Sequence, residues 1–105
     1  MIKDGASIDG CRAEILIAYI KTIQPLYLEY IKDATITSGS EPYPHTARRS
    51  RHYSGDALDI RTRFFTEPQK KAILGKLRER LGDDFVVILE KTHFHIHYAP
   101  VFKED

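Results

Sequence analysis

The chain has 105 residues, enough for one domain with one core and too few for a second. Hydrophobic residues make up 42% and charged ones 30%, and the formal net charge of +1 gives no global pull toward nucleic acid or membrane, so any electrostatic function is local. The single cysteine, Cys11, excludes both an internal disulfide and a multi-cysteine zinc site, so a metal centre would have to use histidine and carboxylate.

The opening MIKDGASIDG lacks the basic segment, apolar core and small-residue cleavage site of a secretory signal. No apolar run is long enough to span a bilayer, and no repeat or linker divides the chain. The expectation is one domain over residues 1–105, synthesised in the cytoplasm, monomeric and without a membrane partner.

From about Asp9 to Ile31, apolar residues recur at three- and four-residue steps (Ile15, Leu16, Tyr19, Ile20, Ile23, Leu26, Tyr27, Tyr30), which predicts an amphipathic helix. Pro25 should kink or divide it. Ala34 to Thr37 alternates as a strand and ends at Ser38-Gly39. The stretch SEPYPHTARRS, residues 40–50, has two prolines and no period and reads as a loop.

Ala57 to Ile60 predicts a second short strand. Thr66 followed by Gln69 is a capping-box pattern, Pro68 suits the first turn, and Ile73, Leu74, Leu77 and Leu81 form one stripe that stops before Gly82. Phe85 to Leu89 is an apolar run of strand length, and Thr92 to Tyr98 alternates strictly. Helix, strand, strand, helix, strand, strand is the order of an α+β domain with helices packed on a small antiparallel sheet.

Three of the five histidines fall in EKTHFHIHYAP at two-residue spacing. On a strand, His93, His95 and His97 share one face while Phe94, Ile96 and Tyr98 take the other. Burying such a row of imidazoles is costly unless the ring nitrogens are engaged; a merely solvated face is the alternative. A catalytic zinc takes three nitrogen or oxygen ligands and keeps one position for water. His52, Asp59 and one histidine of this cluster meet that count, with Gly55 supplying a turn between the first two. H-x6-D alone carries little information and gains its weight from the distant HxH.

Ser50, His52, Gly55, Ala57 and Asp59 in S-x-H-x-x-G-x-A-x-D, followed by Glu90, His93 and His95 in E-x-x-H-x-H, resemble the superfamily of zinc D-Ala-D-Ala carboxypeptidases, L-alanyl-D-glutamate endopeptidases and hedgehog domains. KDGASIDG, TITSGSE, HYSGDALDIRTR and VILEKTHFHIHYAP extend the likeness to the small single-domain phage and bacterial members. The resemblance implies a hedgehog/D,D-peptidase-like fold and one zinc ion held by His52, Asp59 and His95. In the other register, that of E-x-x-H, Glu90 and His93 take the place of His95. It further implies hydrolysis of peptidoglycan stem peptides, with Glu90 or His93 moving the proton of the metal-activated water. An enzyme of this kind would reach the cell wall after phage- or holin-type release.

Two positions depart from the family pattern. Thr92 stands where many relatives carry an acid before the histidines, and Ser40-Glu41 where many carry an arginine. The arginine's duty toward a substrate carboxylate or oxyanion passes in this reading to Arg48, Arg49 or Arg51, in a loop that otherwise reads as a solvated basic one. The departures favour an alternative: a zinc-binding module of the same fold that does not hydrolyse. Arg48, Arg49, Arg51, Arg61 and Arg63 also form a basic set, but the near-neutral charge and the lack of a nucleic-acid-binding signature speak against a nucleic-acid partner. Ser50 is read as holding the His52 ring, Asp56 as facing solvent, His45 as surface, and His97 is given no role.

Overall fold

The computed structural model describes residues 1–40 and 55–100. His45, Arg48, Arg49, Ser50, Arg51 and His52 therefore lie outside the described residues, as does Glu41. The architecture is α+β: helices cover one face of a four-stranded antiparallel sheet.

The first helical run begins with α1, Ala13–Ala18, continues through a π-helical turn at Tyr19–Ile23, and ends as α2, Gln24–Glu29. Pro25 does not break it. Proline lacks an N–H and its ring clashes with the carbonyl four residues back. Here the ladder has already switched: the Gln24 N–H donates to the Tyr19 carbonyl, five residues back, and Pro25 sits in the first turn of α2. Helix α3, Glu67–Leu81, starts as the sequence predicts, because the Thr66 hydroxyl accepts from the Gln69 N–H while the Gln69 side chain accepts from the Thr66 N–H.

The strands are β1 (Ile36–Ser38), β2 (Ala57–Arg61), β3 (Phe85–Leu89) and β4 (His93–Tyr98), in the sheet order β1-β2-β4-β3. Period two sends Leu58 and Ile60 of β2, and Phe94 and Ile96 of β4, into the core with Val87. Ile15, Ile23, Leu26 and Tyr27 from the first helical run, and Ile73 and Leu77 from α3, close over them. Each such side chain contributes about 1.5–3 kcal/mol by leaving water, and together they fix which sheet face stays open. The Tyr27 hydroxyl, inside this core, donates to the Arg61 carbonyl at 2.8 Å; burial pushes its pKa well above the usual phenol value.

The N-terminal segment straps the β1 edge. Ile2 bridges Ile36 in parallel, the Lys3 N–H donates to the Ile36 carbonyl, and the Ile36 N–H donates to the Met1 carbonyl. Further on, the Arg12 N–H donates to the Gly55 carbonyl at 2.8 Å. Gly55 has φ +77, and a Cβ there would collide with the Gly10 carbonyl oxygen, so only glycine admits this close crossing just before β2.

Asp56 corrects the expectation of a solvent-facing side chain: it is buried, and its Oδ1 lies 2.6 Å from Arg12 Nε. The same crossing that brings residues 10–12 against Gly55 delivers this guanidinium, a relationship that no local pattern encodes. The first helix also starts later than expected, at Ala13 rather than Asp9, because Asp9 to Arg12 form this crossing.

Candidate active site

The open face of the sheet carries the odd-numbered residues of β2 and β4. Their register is direct: Ala57 faces His97, Asp59 faces His95, and Arg61 faces His93. Side chains of directly opposed residues start about 5 Å apart at Cβ, so the pairing by itself brings Asp59 and His95 into contact. Asp59 Oδ1 lies 3.0 Å from His95 Nδ1. Its other oxygen, Oδ2, lies 3.5 Å from His93 Nε2. All three side chains are largely but not fully covered, with exposures of 15% for Asp59, 16% for His95 and 22% for His93, so they are shielded yet within reach of a ligand.

His95 Nε2 lies 3.0 Å from His97 Nδ1. Two proton arrangements satisfy this chain. In one, His95 Nδ1–H donates to Asp59 and Nε2 accepts from His97. In the other, His95 Nε2–H donates to His97, and Nδ1 turns a lone pair toward the Asp59 carboxylate. Two acceptors at that distance repel, so the second arrangement needs a cation between them. His97, given no role from sequence, is thus the partner of the His95 ring nitrogen that faces away from Asp59, and it holds the ring in place. The strict alternation of β4 had placed it on the right face; what was missing was the reach from one ring to the next.

His93 is held from three sides. Its Nε2 lies 3.1 Å from Glu90 Oε2 as well as near Asp59 Oδ2, and its Nδ1 lies 3.0 Å from Thr92 Oγ1. Carboxylate oxygens only accept, so Nε2 donates to them unless a cation lies between. Glu90 sits at the β3–β4 turn, where its N–H donates to the His93 carbonyl at 2.9 Å, and its side chain is half exposed. Glu90 and His93, the pair expected to handle protons, therefore touch each other and sit beside Asp59. Thr92, the departure from the expected acid, contacts the His93 ring instead.

The donor chemistry suits zinc. Ligands bound at about 2.0–2.1 Å to one tetrahedral ion are separated by roughly 3.4 Å, and the separations of Asp59 from His95 and His93 bracket that value. Among the described residues, no group of three or more His, Cys, Asp or Glu side chains is arranged to hold a metal by itself. The expected set of His52, Asp59 and His95 extends outside the described residues at His52, and so does the substrate role given to Arg48 and Arg49.

Beside these groups opens a cleft of about 420 Å³, lined by Lys3, Thr37, Ser38, Asp59, Arg61, Arg63, Thr92 and His93. Among the described residues no helix is long and apolar enough to cross a membrane. Searches against protein-family models, curated proteins and solved structures return no match for this chain.

Proposed function

We propose that the protein is a zinc-dependent peptidase of the hedgehog/D,D-peptidase-like fold that hydrolyses peptidoglycan stem peptides, as a D-Ala-D-Ala carboxypeptidase or an L-Ala-D-Glu endopeptidase. The observation that supports this most is the convergence of His95 Nδ1 and His93 Nε2 on the two oxygens of one carboxylate, Asp59, at the wall of an open cleft. Asp59 and His95 would hold the ion together with His52. His95 is favoured over His93 as a ligand because it directly opposes Asp59 and comes closer to it. An ion held there would supply Lewis-acid chemistry, activating water and polarising a substrate carbonyl.

The chain's own groups supply the rest. His97 orients the His95 ring. Glu90, half exposed and in contact with His93 Nε2, is placed to take a proton from water entering the cleft and return it to a leaving amine, with His93 sharing that proton. The substrate is a peptide on the cell-wall side, reached after phage- or holin-type release. The protein acts as a monomer, with no nucleic acid or membrane as partner.

The deciding experiment digests purified peptidoglycan with zinc-loaded protein, with and without a chelator, and identifies released D-Ala or cut stem peptides by mass spectrometry. Product that disappears with the chelator and in Glu90→Gln is expected; no product from the zinc-loaded protein would sink the enzyme reading. One observation favours a second reading, a non-hydrolytic zinc module: the His93 ring is tied to a hydroxyl, Thr92 Oγ1, where an acid was expected. That reading predicts one zinc per chain, a large loss of stability on chelation, and no turnover.

A further inference from the structure

The cleft beside Asp59 has a charge of its own. Among the described residues its lining includes three cations, Lys3, Arg61 and Arg63, against one carboxylate, that of Asp59. In a chain whose net charge is only +1, that is a local concentration of positive charge. Among the described residues, no carboxylate pairs with any of these three side chains, whereas Arg12, Lys70 and Arg80 each have an acidic partner.

The fold places these cations by separate means. Arg61 shares a strand face with Asp59 by the two-residue period and directly opposes His93. Its backbone is fixed on both sides: its N–H donates to the Thr35 carbonyl at 3.0 Å, and its carbonyl accepts from the Tyr27 hydroxyl at 2.8 Å. Buried Thr62, whose N–H donates to the Thr92 carbonyl at 3.1 Å, anchors the chain between Arg61 and exposed Arg63. Lys3 arrives from the opposite end of the sequence on the strap bonded to β1. Thr37 and Ser38 add hydroxyls to the same wall.

We infer that Arg61, with Arg63 and Lys3, forms a subsite that binds a free carboxylate of a peptide substrate next to the Asp59–His95 pair. The inference rests on the peptidase reading for the identity of the ligand as a peptide. A carboxylate fits best because guanidinium groups offer planar paired donors matched to its two oxygens. A cleft of about 420 Å³ is large enough for the end of a peptide. The subsite lies on the β1 side of the site, so it orients the peptide with its anionic group over Arg61 and the adjacent peptide bond toward His93. Arg61 is here a specificity-determining residue, a part earlier given to Arg48 and Arg49.

The test uses two stem-type peptides ending in D-Ala-D-Ala, one with a free C-terminal carboxylate and one amidated, titrated into zinc-loaded protein and followed by calorimetry and by amide NMR shifts. The free acid should bind about 10- to 100-fold more tightly than the amide, with shifts at Arg61, Thr92 and His93. Arg61→Gln should remove that preference, Arg61→Lys should retain part of it, and Arg63→Gln, at an exposed position, should weaken it. Equal binding of acid and amide, no binding of either at millimolar concentration, or an undiminished preference in folded Arg61→Gln would each overturn the subsite. Inorganic phosphate shifting the same side chains at concentrations where neither peptide binds would reassign the cleft to a phosphate ligand. Acid-selective binding without any cleavage would leave the subsite standing and remove the peptidase reading instead.

Discussion

Asp59 and His95, 36 residues apart in the chain, oppose each other directly across β2 and β4, with Oδ1 and Nδ1 at 3.0 Å. This contact is set by strand register, not by loop geometry, so a one-residue slip of β4 would send all three histidines of the strand to the core side. The core residues Phe94 and Ile96 prevent that slip. Packing on the closed face thereby holds the chemistry on the open one.

The zinc reading makes a graded prediction across this face. Titration of metal-free protein with zinc should give one ion per chain, with binding lost in Asp59→Ala and His95→Ala. His97→Phe should keep the stoichiometry but weaken affinity about 10- to 100-fold, since it removes only the partner that orients His95. His93→Ala should still bind. Metal lost in His93→Ala and kept in His95→Ala would move the third ligand to His93.

What could be read from the chain and what could not divide along physical lines. The alternation HFHIHY and the Thr66–Gln69 box are local: their meaning depends on strand or helix period and on neighbours three residues away, and both elements form as the sequence predicts. The α+β order was legible for the same reason. The burial of Asp56 and the arrival of Lys3 depend on where the N-terminal segment crosses the rest of the fold, which no periodicity carries. Arg61 was visible only as one of several arginines; its place opposite His93 required the β2–β4 register.

Gly55 is the point where that crossing is tightest, and it lies two residues before the start of β2 at Ala57. Gly55→Ala adds a Cβ into the Gly10 carbonyl and forces an L-residue to φ +77. Destabilisation of about 2–4 kcal/mol is expected, a fall in Tm of more than 10 °C on the rough scale for a domain this size. Gly82→Ala is the comparison: its φ +80 and ψ −169 lie in a region open essentially only to glycine, but nothing lies within 4 Å, so only a conformational cost of about 1–3 kcal/mol applies. Equal losses in the two variants would show that the close approach at Gly55 contributes nothing.

The end of the first helical run carries avoidable strain. Ile31, a β-branched residue, has φ 57 and is 90% exposed, while the Lys32 N–H donates to the Tyr27 carbonyl at 3.1 Å. This is the left-handed position that usually terminates a helix with glycine. Ile31→Gly removes the steric cost without giving up buried surface, so it should stabilise the protein by about 1 kcal/mol. Chemical denaturation should show a higher midpoint with an unchanged slope; a lower midpoint would mean that Ile31 makes stabilising contacts its exposure does not suggest.

Asp33 gives the stability a pH dependence in the acid range. Its carboxylate accepts from Gln24 Nε2 at 2.8 Å, faces the N-terminal ammonium at 3.2 Å, and accepts from Thr35 Oγ1 at 3.4 Å. The Gln24 hydrogen bond is the main cause holding its pKa below the ordinary value of 3.8, with partial burial opposing it. A carboxyl group with a lowered folded-state pKa stabilises the fold fully above its unfolded-state pKa. It loses that contribution as pH falls through 3.8 toward the lower folded-state value. The side chain is 41% exposed, so solvent screening keeps the effect small. Thermal melts of the wild type and Asp33→Asn should therefore differ by a constant margin above about pH 5, and that margin should narrow below pH 3.8 as the wild-type carboxylate protonates. A margin that persists unchanged to the lowest pH at which both proteins fold would show that the charge of Asp33 contributes nothing to stability.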